Sequence, residues 1–122
     1  MIIQIDPQSP VPPYEQVRAG IAARAADGGL PAGTRLPTVR ELAAELGLAA
    51  NTVARAYREL EQAGLVHTRG RHGTFVTARA AGVSEEASRL AARYAEDSRA
   101  LGVPAAQAAA LVRAALGLPE AG

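Results

Sequence analysis

A chain of 122 residues carrying a formal net charge of +1 is long enough for one modest core or a small domain with an appendage, and short for a two-domain enzyme. No run approaches the roughly 18 consecutive apolar residues of a membrane span, and MIIQIDPQSP has neither the basic flank nor the apolar length of a signal peptide, so a cytoplasmic protein is expected. Cysteine is absent, which removes disulfides, thiolate nucleophiles and thiolate metal sites, and His67 and His72 have no neighbouring carboxylate in sequence to build a metal site with. All thirteen basic residues are arginine, the side chain that forks onto phosphate and guanine edges, although a genome rich in G and C favours arginine codons as well.

Ile2 to Ile5 is a candidate strand, and DPQSPVPP after it is not helical. Pro12 and Pro13 suit the first turn of a helix, and Tyr14, Val17, Ile21 and Ala25 then recur at helical spacing until Gly28 and Gly29. The connection LPAGTRLP reads as a loop. In TVRELAAELG, Thr38 and Glu41 stand in the spacing of a capping box, Val39, Leu42, Ala43 and Leu46 form an apolar stripe, and Gly47 closes the helix. Soon after, NTVARAYRELEQAG begins a third helix with Val53, Tyr57, Leu60 and Gly64 on one side. At about 100° per residue its opposite face centres on Arg55 and Gln62, flanked by Asn51, Arg58, Glu59 and Thr52. Two amphipathic helices joined by so short a turn predict a helix-turn-helix.

LVHT and GTFVT read as two strands of a hairpin around RGRH. Helix, helix, turn, helix and hairpin is the order of a winged helix-turn-helix, so the fold expected is mainly α with one small β-hairpin. Beyond Ala78 the composition shifts to alanine and two further helices are predicted. Ser84 with Glu85 and Glu86 starts the first, with the stripe Ala87, Leu90, Ala91, Tyr94, Ser98 and Leu101. Pro104 opens the second, with Ala108, Leu111, Val112, Ala115 and Leu116. Two helices alone cannot bury such stripes. The expected organisation is a winged domain over 1–77 and a two-helix region over 78–122, in which Leu90, Tyr94, Leu101, Leu111, Val112 and Leu116 are the candidates for holding a second copy of the chain.

Over RLPTVRELAAELGLAANTVARAYRELEQAGLVHTRGRHGTFV, residues 35 to 76, the sequence resembles the GntR family of bacterial transcriptional regulators, and the likeness extends over residues 11 to 77. The short two-helix C-terminal part is similar to the YtrA-type subfamily. The resemblance implies a dimer that binds an inverted-repeat operator, usually as a repressor, with the second and third helices and the wing on DNA. Members of this type often control neighbouring transporter genes. Carried over by position, Arg40 matches a DNA-contacting arginine, Asn51 and Thr52 fall at the polar start of the recognition helix, and Arg71 with His72 forms the wing tip. Three departures stand out. Ala49 replaces a capping residue and Ala50 follows it, one base-reading arginine of larger subfamilies is missing, and Gly70 precedes Arg71 where the family order puts glycine between the two polar residues.

The chemistry agrees with these roles. Asparagine pairs with adenine and arginine with guanine in the major groove, so Asn51 and Arg55 are candidate base readers, while Thr52 at a helix start suits phosphate. Arg35, Thr38 and Arg40 flank the helix that crosses the backbone, the alternative for the two arginines being pairs with Glu41 or Glu45. Arg58 either touches DNA or pairs with Glu61. Arg69, Arg71 and His72 are aimed at phosphate or the minor groove, Phe75 and Val76 anchor the wing, and Tyr14, Tyr57 and Leu60 read as core. A protein-interaction module is the rival reading. An enzyme is disfavoured for want of a nucleophile with a base, a carboxylate pair or a phosphate-binding loop with lysine, and no cofactor is implied. The C-terminal region is too small to enclose a sizeable effector pocket alone, although a dimer interface could form one.

Overall fold

The computed structural model describes residues 3–119 and divides into two compact units, the division falling after Glu85. In the first unit, helix α1 (Pro13–Ala26), helix α2 (Val39–Leu46) and helix α3 (Ala50–Gln62) are followed by strands β1 (Val66–Thr68) and β2 (Thr74–Val76) and a one-turn helix α4 (Ala78–Ala81). Helix α5 (Glu85–Ala100) and helix α6 (Ala105–Ala115) follow.

Helix α1 starts on Pro13, whose missing amide is no loss at a helix start, and its stripe Val17, Ile21 and Ala25 is buried. Those residues pack with Leu42 and Ala43 of α2 and with Val53, Ala56, Tyr57 and Leu60 of α3 around one core. Ile3 joins it from the N-terminal segment, in which residues 3–6 form no strand, and Ile2 of the candidate strand lies outside the described residues. Gln16 holds that segment in place: its side-chain amide donates to the Asp6 and Val11 carbonyls (3.1 and 2.9 Å), and its oxygen accepts the Asp6 amide (2.8 Å).

The turn between α2 and α3 is fixed by Gly47, which takes a left-handed conformation (φ 69°) that a side chain would strain, while the Leu48 amide closes back on the Ala43 carbonyl at 2.9 Å. β1 and β2 pair antiparallel in the register Val66↔Val76, His67↔Phe75, Thr68↔Thr74. The stretch read as a plain loop does more than connect. Residues 33–36 run beside β2, with Gly33, Leu36 and Val76 amides bonded across to the Val76, Thr74 and Thr34 carbonyls at 2.8–2.9 Å. Hydrophobic alternation has no purchase on so short a stretch between proline and glycine signals.

The division of the chain comes after Glu85, eight residues beyond the boundary expected at 77/78, because α4 belongs to the first unit. Thr77 caps α4 by accepting the Ala80 amide, its hydroxyl donates to the Gly64 carbonyl at 2.8 Å, and Ala80 is buried in the core. A helix of four residues leaves no periodicity to read. The second unit is a pair of helices joined through Gly102 (φ 75°). Ser98 and Ala108 are its buried residues, and the Tyr94 hydroxyl donates to the Ala108 carbonyl at 2.8 Å. Among the described residues no helix is long and apolar enough to cross a membrane, and no cluster of three or more metal-binding side chains occurs.

Candidate nucleic-acid interface

The entry to α2 is held by both halves of the expected capping box. The Thr38 hydroxyl accepts the Glu41 amide at 3.1 Å and Glu41 accepts the Thr38 amide at 2.8 Å, which holds the Glu41 carboxyl below the usual carboxylate range. Both the backbone amide and the side chain of Thr38 are thus engaged with Glu41. Arg40, on the first turn of α2, is exposed and has no hydrogen bond or ion pair to a described residue, so neither Glu41 nor Glu45 holds it.

Helix α3 begins on Ala49, which offers no capping side chain. Its first turn therefore leaves backbone amides open beside exposed Asn51 and half-buried Thr52, and open amides at a helix start favour an anion. Further along, Arg58 is exposed with no partner among the described residues, so the alternative of a pair with Glu61 is not formed. Tyr57 is core, as expected. It is 8% exposed and donates to the Pro37 carbonyl at 2.6 Å, and burial pushes its phenol well above the ordinary tyrosine range.

Arg55 has a different setting. Its guanidinium lies 3.6 Å from the centroid of the Tyr14 ring, and its Nε donates to Glu59 at 3.2 Å. Tyr14, expected in the core, is half-buried with one ring face against this arginine. The spacing that put Tyr14 on the buried stripe of α1 is real, but it sits one turn before the first fully buried residue, at the rim of the core.

At the wing, residues Gly70–His72 form a single 3₁₀ turn between the strands, with Gly70 at φ 53° and Arg71 and His72 exposed. Gly70 supplies the left-handed residue that begins this turn, which accounts for the inverted order of glycine and arginine here. Arg69 folds back along the stem. Its Nε donates to His67 Nε2 at 3.0 Å, and its guanidinium sits 4.4 Å from the centroid of Phe75, whose ring meets His67 edge-on at 6.3 Å. Phe75 is therefore half-buried under Arg69, while Val76 is the anchor in the core. Arg35 is exposed and lies beside Gly73, where a Cβ would come within 2.7 Å of Arg35 Nε. The roles of His67 and Tyr14 escaped the sequence reading; the register pairing His67 with Phe75 was the available signal for the first, and the second had none.

In the second unit, Leu90, Tyr94, Val112 and Leu116 are brought together along one open apolar groove of about 550 Å³. Leu101 and Leu111 lie outside it and are 81% and 51% exposed.

A short-turned pair of helices, a polar-faced second helix and a hairpin with an arginine at its tip define a winged helix-turn-helix protein of the DNA-binding class. The chain matches the gntR family of bacterial regulatory proteins over residues 13–76, and it belongs to that family. It is 55% identical over 75 residues to the HTH-type transcriptional regulator Rv1152 of Mycobacterium tuberculosis, and 41% identical over 76 residues to the HTH-type transcriptional repressor YtrA of Bacillus subtilis. Each alignment covers 62% of this chain, and they cover 62% and 58% of those relatives, so the chain matches about three-fifths of each. Among solved structures, AraR(DBD) in complex with operator ORX1 is similar at a TM-score of 0.54 and 29% identity, over 60% of this chain and 90% of that one. The proteins it resembles are regulators, not enzymes.

Proposed function

We propose that this chain binds an inverted-repeat operator as a homodimer in the cytoplasm and represses transcription of its own or a neighbouring operon, a transporter operon being the first to examine. The observation that carries the reading is the set Arg40, Asn51, Thr52, Arg58 and Arg71: exposed or half-exposed, the three arginines without described partners, at the starts of α2 and α3, along α3 and at the wing tip. An unpaired arginine gains more from a phosphate than one that must first leave a carboxylate. Two similar proteins point the same way, one named as a repressor and one bound to an operator. For dimerisation the support is Leu90, Leu101, Leu111 and Leu116, each more than half exposed, and a helix pair so small has no second layer of its own to cover them. An effector, if one acts, would have the apolar groove on α5 and α6 as its nearest cavity.

The test is a mobility shift with the DNA upstream of the gene, beside a scrambled duplex, over a salt series. Retention of the native fragment alone, a footprint with two-fold symmetry, and a log–log salt slope of roughly −0.9 per phosphate neutralised are expected. Combined Arg40→Ala and Arg71→Ala should flatten that slope by about two phosphates' worth. No retention of either fragment would replace this reading with a protein partner for the winged unit.

A further inference from the structure

Arg55 is the one member of the polar face of α3 that is held on two sides. The Tyr14 ring lies against its guanidinium at 3.6 Å and Glu59, one turn on, takes its Nε at 3.2 Å, yet the side chain is still 53% exposed. Its two terminal nitrogens meet no hydrogen-bond partner among the described residues. A planar guanidinium stacked on a ring and pinned at Nε has lost the freedom to rotate about its long side chain, and what remains is a fork of two amino groups with a set direction. Glu59 also acts at a distance on a second arginine. Arg18 of α1 makes a two-pronged pair with Glu15 at 2.6 and 2.5 Å, and its charge is also stabilised by Glu59.

We propose that Tyr14 and Glu59 pre-set Arg55 as a two-pronged donor, which makes Tyr14 a specificity-determining positioning residue of the recognition helix although it stands on α1. The inference rests on the operator reading above. A fork fixed in this way favours an acceptor pair of matching spacing, such as O6 and N7 of guanine, over a single phosphate oxygen. The fork's fixed direction matters more for choosing among sequences than for holding DNA at all, because phosphate contacts elsewhere on the unit carry no sequence information.

The experiment selects duplexes from a random pool with the full, unsubstituted chain, then compares affinities for the selected and a scrambled duplex. Arg55→Ala and Tyr14→Leu should each lower the ratio of the two affinities about tenfold, with affinity for the scrambled duplex little changed. Tyr14→Phe, which keeps the ring, should stay close to the unsubstituted protein. Adding Tyr14→Leu to Arg55→Ala should cost nothing further, since both remove one arrangement. An independent reading comes from NMR of the free protein: the Arg55 δ-methylene protons should be shifted by the ring, keep that shift in Tyr14→Phe and lose it in Tyr14→Leu. Equal losses for Tyr14→Phe and Tyr14→Leu, additive losses with Arg55→Ala, or a harmless Arg55→Ala would each overturn the proposal. A chain that selects no sequence at all sinks the operator reading and this proposal together, whereas selection without the predicted pattern sinks this proposal alone.

Discussion

The two units bury their apolar residues in opposite measure. In the first, Val17, Ile21, Leu42, Val53 and Leu60 are each exposed by no more than 1%, and three helices enclose them together with Ile3, Leu36, Val66, Val76 and Ala80. In the second, Leu90, Leu101 and Leu116 are 68%, 81% and 68% exposed, and the residues that are buried, Ser98 and Ala108, are small. Three helices can close a core, while two can only share a seam. Alanine suits that seam because it lets helices approach and costs no side-chain entropy, and the larger residues are left on the outer surfaces.

The sharpest way to break this contrast is to charge the exposed leucines. With Leu90→Glu and Leu116→Glu together, a symmetric dimer would lose four leucines at about 1.5–3 kcal/mol for each one buried, so its dissociation constant should rise by orders of magnitude. Sedimentation equilibrium would report a monomer, and the melting of the first unit in that monomer should match the unsubstituted protein. A dimer that survives both changes would place the contact elsewhere. Next in size is Leu60→Ala in the closed core, expected to cost about 2–5 kcal/mol in denaturant unfolding, against less than about 0.5 for Leu101→Ala in protein diluted to monomer. Equal costs would mean that the second unit hides Leu101 in solution.

The smallest effects sharpen the contrast between the two helix starts within the first unit. Thr38→Ala removes a formed cap from α2 and should cost about 1 kcal/mol, while Ala49→Ser gives α3 the cap it lacks and should return a similar amount. The Glu41 half of the box also has a pH signature. Its folded pKa is lowered, so its contribution is present above the unfolded carboxylate range and fades as the pH falls through the folded value. If Ala49→Ser stabilises the fold but weakens DNA binding, the open amides at the start of α3 are there for an anion.

Much of this was legible in the sequence because it is local. Thr38 and Glu41 are three residues apart, the stripes of α1, α2 and α3 repeat within a few turns, and Gly47 marks its own conformation. What escaped depends on the chain returning to itself. Tyr14 and Arg55 are far apart in sequence and meet only because α1 and α3 cross, and no periodicity marks a stacking partner. Residues 33–36 acquire strand character from β2, which lies some forty residues later, and Arg69 turns back along the stem because Phe75 and His67 offer a ring and an acceptor opposite each other. At the site, Arg40, Asn51, Thr52, Arg58, Arg71 and His72 remain exposed or half-exposed as a reading of faces suggests. Arg55 and Arg69 show that an exposed arginine is not always an idle one.

The wing is stitched on its inner side to residues 33–36, the segment that leads directly into α2. A free two-stranded hairpin of three residues a side would fray in water and would have to be ordered each time a partner arrived. Here that ordering is completed during folding, so an encounter with a duplex would have only the side chains at the tip left to settle.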